Sequence, residues 1–201
     1  MSCARGLEER LGGRWVGVRF HKGQLPKGDL VERPMRFCEA IAEAQTRPIT
    51  LTKELLNCPG GQRSFGWDDN DETLVQTMTS KTGMDADPVR SIIRSTPYLQ
   101  EKITGITIGT NNNSEVIVSL AQPELTMKII RLWQRLQGTC LAAEVSTFMA
   151  ACGAVVARAH LTRQICLSFG CPDSRSYGKI GRDRLVVGMP RDLAEELLYR
   201  I

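Results

Sequence analysis

Glu115-Val116-Ile117-Val118-Ser119-Leu120 is followed two residues later by Pro123-Glu124-Leu125-Thr126-Met127-Lys128-Ile129-Ile130-Arg131-Leu132-Trp133-Gln134-Arg135-Leu136-Gln137-Gly138. The first stretch is short and rich in β-branched residues, which predicts a strand. The second carries Leu125, Ile129, Leu132 and Leu136 on one stripe. It starts at a proline suited to a first helical turn and stops at a glycine suited to the C-terminal cap, which predicts a helix over 123–137. A strand running directly into a long amphipathic helix sets the theme for the whole chain.

Working outward, Trp15 to Phe20 reads as a strand, and His21 to Gly28 as the turn after it. A helix is expected from about Pro34, with Phe37, Ala40, Ile41 and Ala44 at helical spacing up to the Arg47-Pro48 step. Ile49 to Thr52 is a short strand, and Asn57-Cys58-Pro59-Gly60-Gly61 a loop. Asp71 and Glu72 open a helix to about Thr82, since negative charge favours a helix N-terminus. A further helix is expected over 88–95.

Ile103 to Ile108 and Glu115 to Leu120 read as a β-hairpin around Gly109-Thr110-Asn111-Asn112-Asn113-Ser114. Ser146 reads as the cap of a helix over 147–159, Ile165 to Phe169 and Leu185 to Val187 as strands, and Pro190 to Leu198 as a closing helix. Interspersed helices and strands give an α/β or α+β fold: a mixed sheet of about five to six strands with helices packed on it, within a single domain over 1–201.

At 201 residues, 42% hydrophobic and 24% charged, the composition is that of a globular protein. No apolar run approaches the roughly 20 residues that span a bilayer. The N-terminal stretch lacks the apolar core of a signal peptide, so the expected setting is the cytoplasm, where thiols stay reduced. The net charge of +4 is spread out with no basic block, which argues against a nucleic-acid partner.

Seven cysteines in such a chain point to metal binding, catalysis or packing rather than to disulfides. Four of them form two similar pairs. Cys38 and Cys152 each open a Cys-x-Ala segment followed by a β-branched residue, and Cys58 and Cys171, 20 and 19 positions on, each precede a proline. Such a repeat suggests two pseudo-symmetric halves, each giving a helix cysteine and a loop cysteine to a shared site. The chemistry that fits is a [4Fe–4S] cluster on Cys38, Cys58, Cys152 and Cys171, with Gly60 and Gly61 letting amides approach sulfur.

Arg175, four residues past Cys171, is a candidate clamp for a small-molecule carboxylate or phosphate. Alternatives are structural zinc on the same thiolates, or a thiol-redox enzyme using Cys166 and Cys171 or one of the spaced pairs. Burial as small hydrophobes is the competing explanation, strongest for Cys38, Cys152 and Cys166, while Cys3 and Cys140 have no supporting context. His21 and His160 read as loop and helix-end residues, and Asp68, Asp69, Asp71 and Glu72 as a solvated helix start.

Most of the chain, from about Val16 to Leu197, resembles family 169 of the domains of unknown function. The resemblance rests on Gly17-Val18-Arg19-Phe20, Arg36-Phe37-Cys38-Glu39-Ala40, Cys58-Pro59-Gly60-Gly61 with Phe65-Gly66, Glu115-Val116-Ile117-Val118, Ala151-Cys152, Leu167-Ser168-Phe169-Gly170-Cys171 with Arg175, and Val186-Val187-Gly188-Met189-Pro190. It implies that the four paired cysteines coincide with the family's cysteine positions. It also implies an anaerobic setting, in which an oxygen-sensitive cluster serves a redox or metabolic partner protein, with a homo-oligomer allowed. Departures are the Pro-Asp-Ser stretch before Arg175, where the family has a glycine-containing one, and a shorter Gly109–Ser114 segment. The resemblance supplies no reaction.

Overall fold

The computed structural model describes residues 2–26, 30–110 and 113–201. Six strands, β1 (Trp15–His21), β2 (Ile49–Leu51), β3 (Gly105–Gly109), β4 (Val116–Ala121), β5 (Cys166–Ser168) and β6 (Leu185–Pro190), form one sheet in the order β2-β3-β1-β4-β6-β5. Every ladder between these strands is antiparallel, and the parallel pairing is two isolated bridges, Leu30 to Thr50 and Met35 to Leu56. The fold is α+β.

β3 and β4 do not form the expected hairpin. β1 lies between them, pairing Val18 with Ile108 on one side and with Val116 on the other. A polar, asparagine-rich connection resembles a hairpin tip in sequence, but the neighbour that covers β3 comes from ninety residues earlier in the chain. Asn111 and Asn112, at the centre of that connection, lie outside the described residues, as do Lys27 and Gly28 of the turn expected after β1.

The order contains a repeat. From the central β1–β4 pair outward, the first half reads β1, β3, β2 and the second β4, β6, β5. Each half therefore places its third strand antiparallel between its first two, which run parallel to each other. This is a split β-α-β unit, used twice. The pseudo-symmetry inferred from the cysteine spacing is thus present in the topology.

Alternation along the strands divides two apolar layers. Val116, Val118 and Leu120 of β4 join a core with Phe37, Ile41, Phe65, Ile93 and Val155, while Ile117 and Ala121 join one with Trp15, Ile129 and Leu197. The second layer is covered by α1 (Cys3–Leu11), α6 (Pro123–Gln137) and α9 (Arg191–Tyr199). The first layer holds α2 (Phe37–Glu43), α3 (Pro59–Ser64), α4 (Asp71–Thr82), α5 (Ala86–Ser95) and a π-helix (Ala150–Ala157) continued by α7 (Arg158–Thr162).

α4 and α6 keep their expected bounds because both ends carry signals: the Asn70 side chain accepts from the Thr73 amide at the start of α4, and Gly83 and Gly138 take the left-handed conformation at the two C-termini. The helix expected over 147–159 is different. Met149 has φ of +46°, and the Ala154 amide reaches back five residues to the Met149 carbonyl at 3.0 Å. Ser146 caps nothing beyond the local turn, its hydroxyl accepting from the Phe148 amide. All eight residues of the π-helix are buried, so small apolar side chains on every face are required there.

Candidate functional site

The two halves carry their cysteines at equivalent places. Cys38 is on α2, in the crossover from β1 to β2, and Cys152 is on the π-helix, in the crossover from β4 to β5. Cys58 follows the edge strand β2, and Cys171 follows the edge strand β5. Neither Cys-Pro segment is the loop the sequence suggested: Cys58 is the N-cap of α3 and Cys171 the N-cap of α8 (Pro172–Ser176), each with proline at the first helical position. Proline reads as a helix start there because its missing N–H is one that a first turn leaves unpaired anyway.

That capping geometry does chemistry. The Gly61 amide, third in α3, faces the Cys58 sulfur, and in α8 the Ser174 amide faces the Cys171 sulfur while the Ser174 hydroxyl accepts from the Cys171 amide at 2.7 Å. Gly60 and Gly61 are buried. A β-carbon on Gly60 would lie 2.8 Å from Met149 Cγ at the mouth of the π-helix, and one on Gly61 2.9 Å from Leu56 Cδ2.

α3 packs on the π-helix and α8 on α2, so the elements of one half interleave with those of the other. At Gly153 an added β-carbon would lie 2.8 Å from Ser64 Oγ, and at Gly178 one would lie 3.0 Å from both Cys38 Cβ and the Cys38 carbonyl oxygen. The Cys38 thiol donates to the Asp173 carbonyl at 3.7 Å. Cys38 and Cys152 are buried, Cys58 and Cys171 half-buried.

The four thiols interact with one another electrostatically. Burial pushes Cys38 up to about 12, and repulsion from Cys171 and Cys58 adds to the rise. Cys58 is raised by burial and by Asp173 and Cys171, against the opposing pull of the Gly61 amide and Arg36. Cys152 is raised well above the ordinary thiol value by burial first, then by Cys58 and Cys171, with the Ser64 hydroxyl opposing. Cys38, Cys58 and Cys152 are thus unfavourable as free thiolates, and their ionisation becomes favourable beside positive charge. Among the described residues, no three His, Cys, Asp or Glu side chains lie close enough together to chelate one metal ion as they stand.

The charge beside the thiols was not read from the sequence. Arg36 bonds Asp173 through Nη1 at 2.5 Å, lies 4.3 Å over the Tyr177 ring, and acts on Cys58 by charge and hydrogen bond. Lys81 also holds Asp173, at 2.7 Å. Arg36 is the N-cap of α2 and Cys38 its second residue, and the only advance signal was their closeness in the Arg36-Phe37-Cys38 stretch. Arg175 is used otherwise. Its terminal nitrogens donate to the main-chain carbonyls of Ile180 and Arg184, at 3.1 and 3.2 Å, and to those of Gly181 and Phe169, so it staples the loop after α8 to β6.

The remaining candidates sort into structural roles. Asp71 pairs with Arg63 at 2.7 Å and Glu72 with Arg90 at 2.9 Å. His21 Nε2 and Thr107 Oγ1 are 2.8 Å apart, and His160 packs edge-on against Phe20 with ring centroids 5.0 Å apart. Burial raises Cys3 and Cys166 to about 11, and neither stands among the four paired thiols.

Fold and cysteine placement together define an α+β protein built from two split β-α-β halves, each carrying one crossover-helix cysteine and one N-cap cysteine at equivalent positions. The chain belongs to the domain-of-unknown-function family DUF169, described as uncharacterised ArCR, whose model matches residues 8–200. Searches of curated proteins and of solved structures returned no significant match. No described helix is long and apolar enough to cross a membrane.

Proposed function

We propose that Cys38, Cys58, Cys152 and Cys171 hold a [4Fe–4S] cluster, and that the protein serves in the cytoplasm as a redox carrier or accessory to a metabolic enzyme in anaerobic metabolism. The observation that carries this reading is the repeated topology, which gives each half the same two cysteine positions on elements that pack across the halves, α3 on the π-helix and α8 on α2. The donor set fits the group. Cys38, Cys58 and Cys152, each raised by burial and by neighbouring thiols, would gain their counter-charge from iron, and backbone amides facing the Cys58 and Cys171 sulfurs would supply the hydrogen bonds that tune such clusters.

The cluster would supply one-electron transfer. The chain's own part is to bind it, to exclude water through the apolar layer around Phe37, Phe65 and Met149, and to place Arg36 next to Cys58. Arg36 favours the more negative, reduced state by simple charge attraction.

Structural zinc on the same thiolates is the second reading. Tetrahedral zinc at about 2.3 Å from sulfur draws the four sulfurs to within about 3.8 Å of each other, whereas a cluster takes each thiolate on a different iron. Thiol-redox catalysis is disfavoured by burial that raises Cys38, Cys58, Cys152 and Cys166, since a nucleophilic cysteine needs a lowered value.

Single replacements test the reading. Cys38→Ala, Cys58→Ala, Cys152→Ala and Cys171→Ala should each lower iron and sulfide content after anaerobic reconstitution, while Cys3→Ala and Cys140→Ala leave it unchanged. Equal retention of iron in all six variants would defeat the assignment.

A further inference from the structure

We propose that the cleft walled by Arg14, Gln45, Gly178, Lys179, Gly181 and Arg184 binds a small phosphate-bearing ligand. The cleft encloses about 690 Å³, a size that suits a nucleotide or a comparable phosphorylated metabolite. It opens between the turn before β1, the C-terminal end of α2 and the loop from α8 to β6.

Its charge is one-sided. Three cationic side chains line it, and the described lining residues include no carboxylate. Asp183 adjoins the lining at Gly181, its Oδ1 2.6 Å from where a β-carbon on that glycine would stand, while its Oδ2 accepts from Gln122 Nε2 at 3.2 Å. One nitrogen of Arg184 donates to the Leu120 carbonyl at 3.1 Å, which fixes the guanidinium at the wall, while Arg14 makes only a long contact of 3.4 Å to Gln45 Oε1. Guanidinium groups set in this way match the paired oxygens of a phosphate, and an ammonium adds a mobile point charge.

The backbone is shaped for close approach as well. Lys179 holds φ at +49° between glycines at 178 and 181. A non-glycine residue in that region is strained and persists where surrounding structure demands it. Lys179 lines the cleft in that conformation, and the glycines on either side let the loop pass close to Cys38 and to Asp183.

The cleft adjoins the thiols. Ala42 lines it one helical turn after Cys38 on the same face of α2, and Gly178 lies against Cys38 itself. A ligand here would press on the same loop that backs the cluster site, yet its binding needs only cations, so it stands whether or not the thiols carry iron.

The test is isothermal titration of the full chain at low salt with ADP and with inorganic pyrophosphate, on metal-free and on anaerobically reconstituted protein. One saturable site per chain is expected in both forms. Lys179→Gln combined with Arg14→Gln should weaken it at least about tenfold with an unchanged circular dichroism spectrum, and Arg131→Gln, an exposed charge on α6, should leave it alone. Three results would overturn the proposal: no saturable binding of either probe, equal weakening by Arg131→Gln, or occupancy that grows with the length of a single-stranded oligonucleotide.

Discussion

Arg36 and Asp173 join the two halves of the molecule in a 2.5 Å ion pair, two residues before Cys38 and two after Cys171, with side chains only 16% and 12% exposed. Being this sheltered, the pair is costly to break from one side.

Asp173→Ala leaves Arg36 and Lys81 without their shared carboxylate. An unpaired, mostly buried charge destabilises by a few kcal/mol, about 2–3 kcal/mol here because Lys81 is a third exposed and recovers water. Urea unfolding should show a lower midpoint with an unchanged slope. Arg36→Met with Asp173→Leu should lose less than Asp173→Ala alone, since it removes the more sheltered Arg36 charge as well and leaves only the partly exposed Lys81 unpaired.

Arg36→Gln should leave cluster content unchanged and lower the cluster's reduction potential by tens of millivolts, the order expected of one partly screened charge near sulfur. Spectroelectrochemical titration reads the shift. No change in potential would mean that Arg36 acts only through Asp173.

Gly178→Ala brings a β-carbon within 2.8 Å of the Ser174 carbonyl oxygen and 3.0 Å of the Cys38 carbonyl oxygen. Main chain cannot rotate away as a side chain can, so a loss of about 2 kcal/mol or more is expected together with reduced iron content. Gly23→Ala, which meets nothing within 4 Å, should be close to neutral in the same thermal melt.

Metal-free protein should weaken in alkali. The Cys38 thiol is raised from 9.0 to about 12 in the fold, so the unfolded chain loses its proton first. The stability this thiol contributes is complete below about pH 9 and is lost as pH rises towards 12, with a slope of up to about 1.4 kcal/mol per pH unit. Cys38→Ala should flatten that slope in denaturant titrations taken across the same range.

Legibility in the sequence followed the locality of each signal. α6 was readable to the residue because Pro123 and Gly138 mark its ends, and α4 closely because Asp71 and Glu72 mark its start; its cap residues Asn70 and Gly83 came from the structure. The cysteine repeat was readable as spacing, and the two split β-α-β halves now give that spacing a topological cause. The false hairpin shows the limit: Ile103 to Leu120 looks self-contained, yet β1 intervenes, and strand partnership is a long-range property that no local pattern encodes. The π-helix is similar, since Met149 at φ +46° and the press of Gly153 on Ser64 depend on α3, about ninety residues earlier. Cys-Pro was ambiguous between loop and helix start, and Arg36 entered the site only through the fold.

The most direct measurement is iron and acid-labile sulfide analysis of anaerobically purified protein, taken with its visible absorption spectrum. Brown protein with close to four irons and four sulfides per chain is the predicted result. Colourless protein carrying zinc, or no metal at all, would contradict the account.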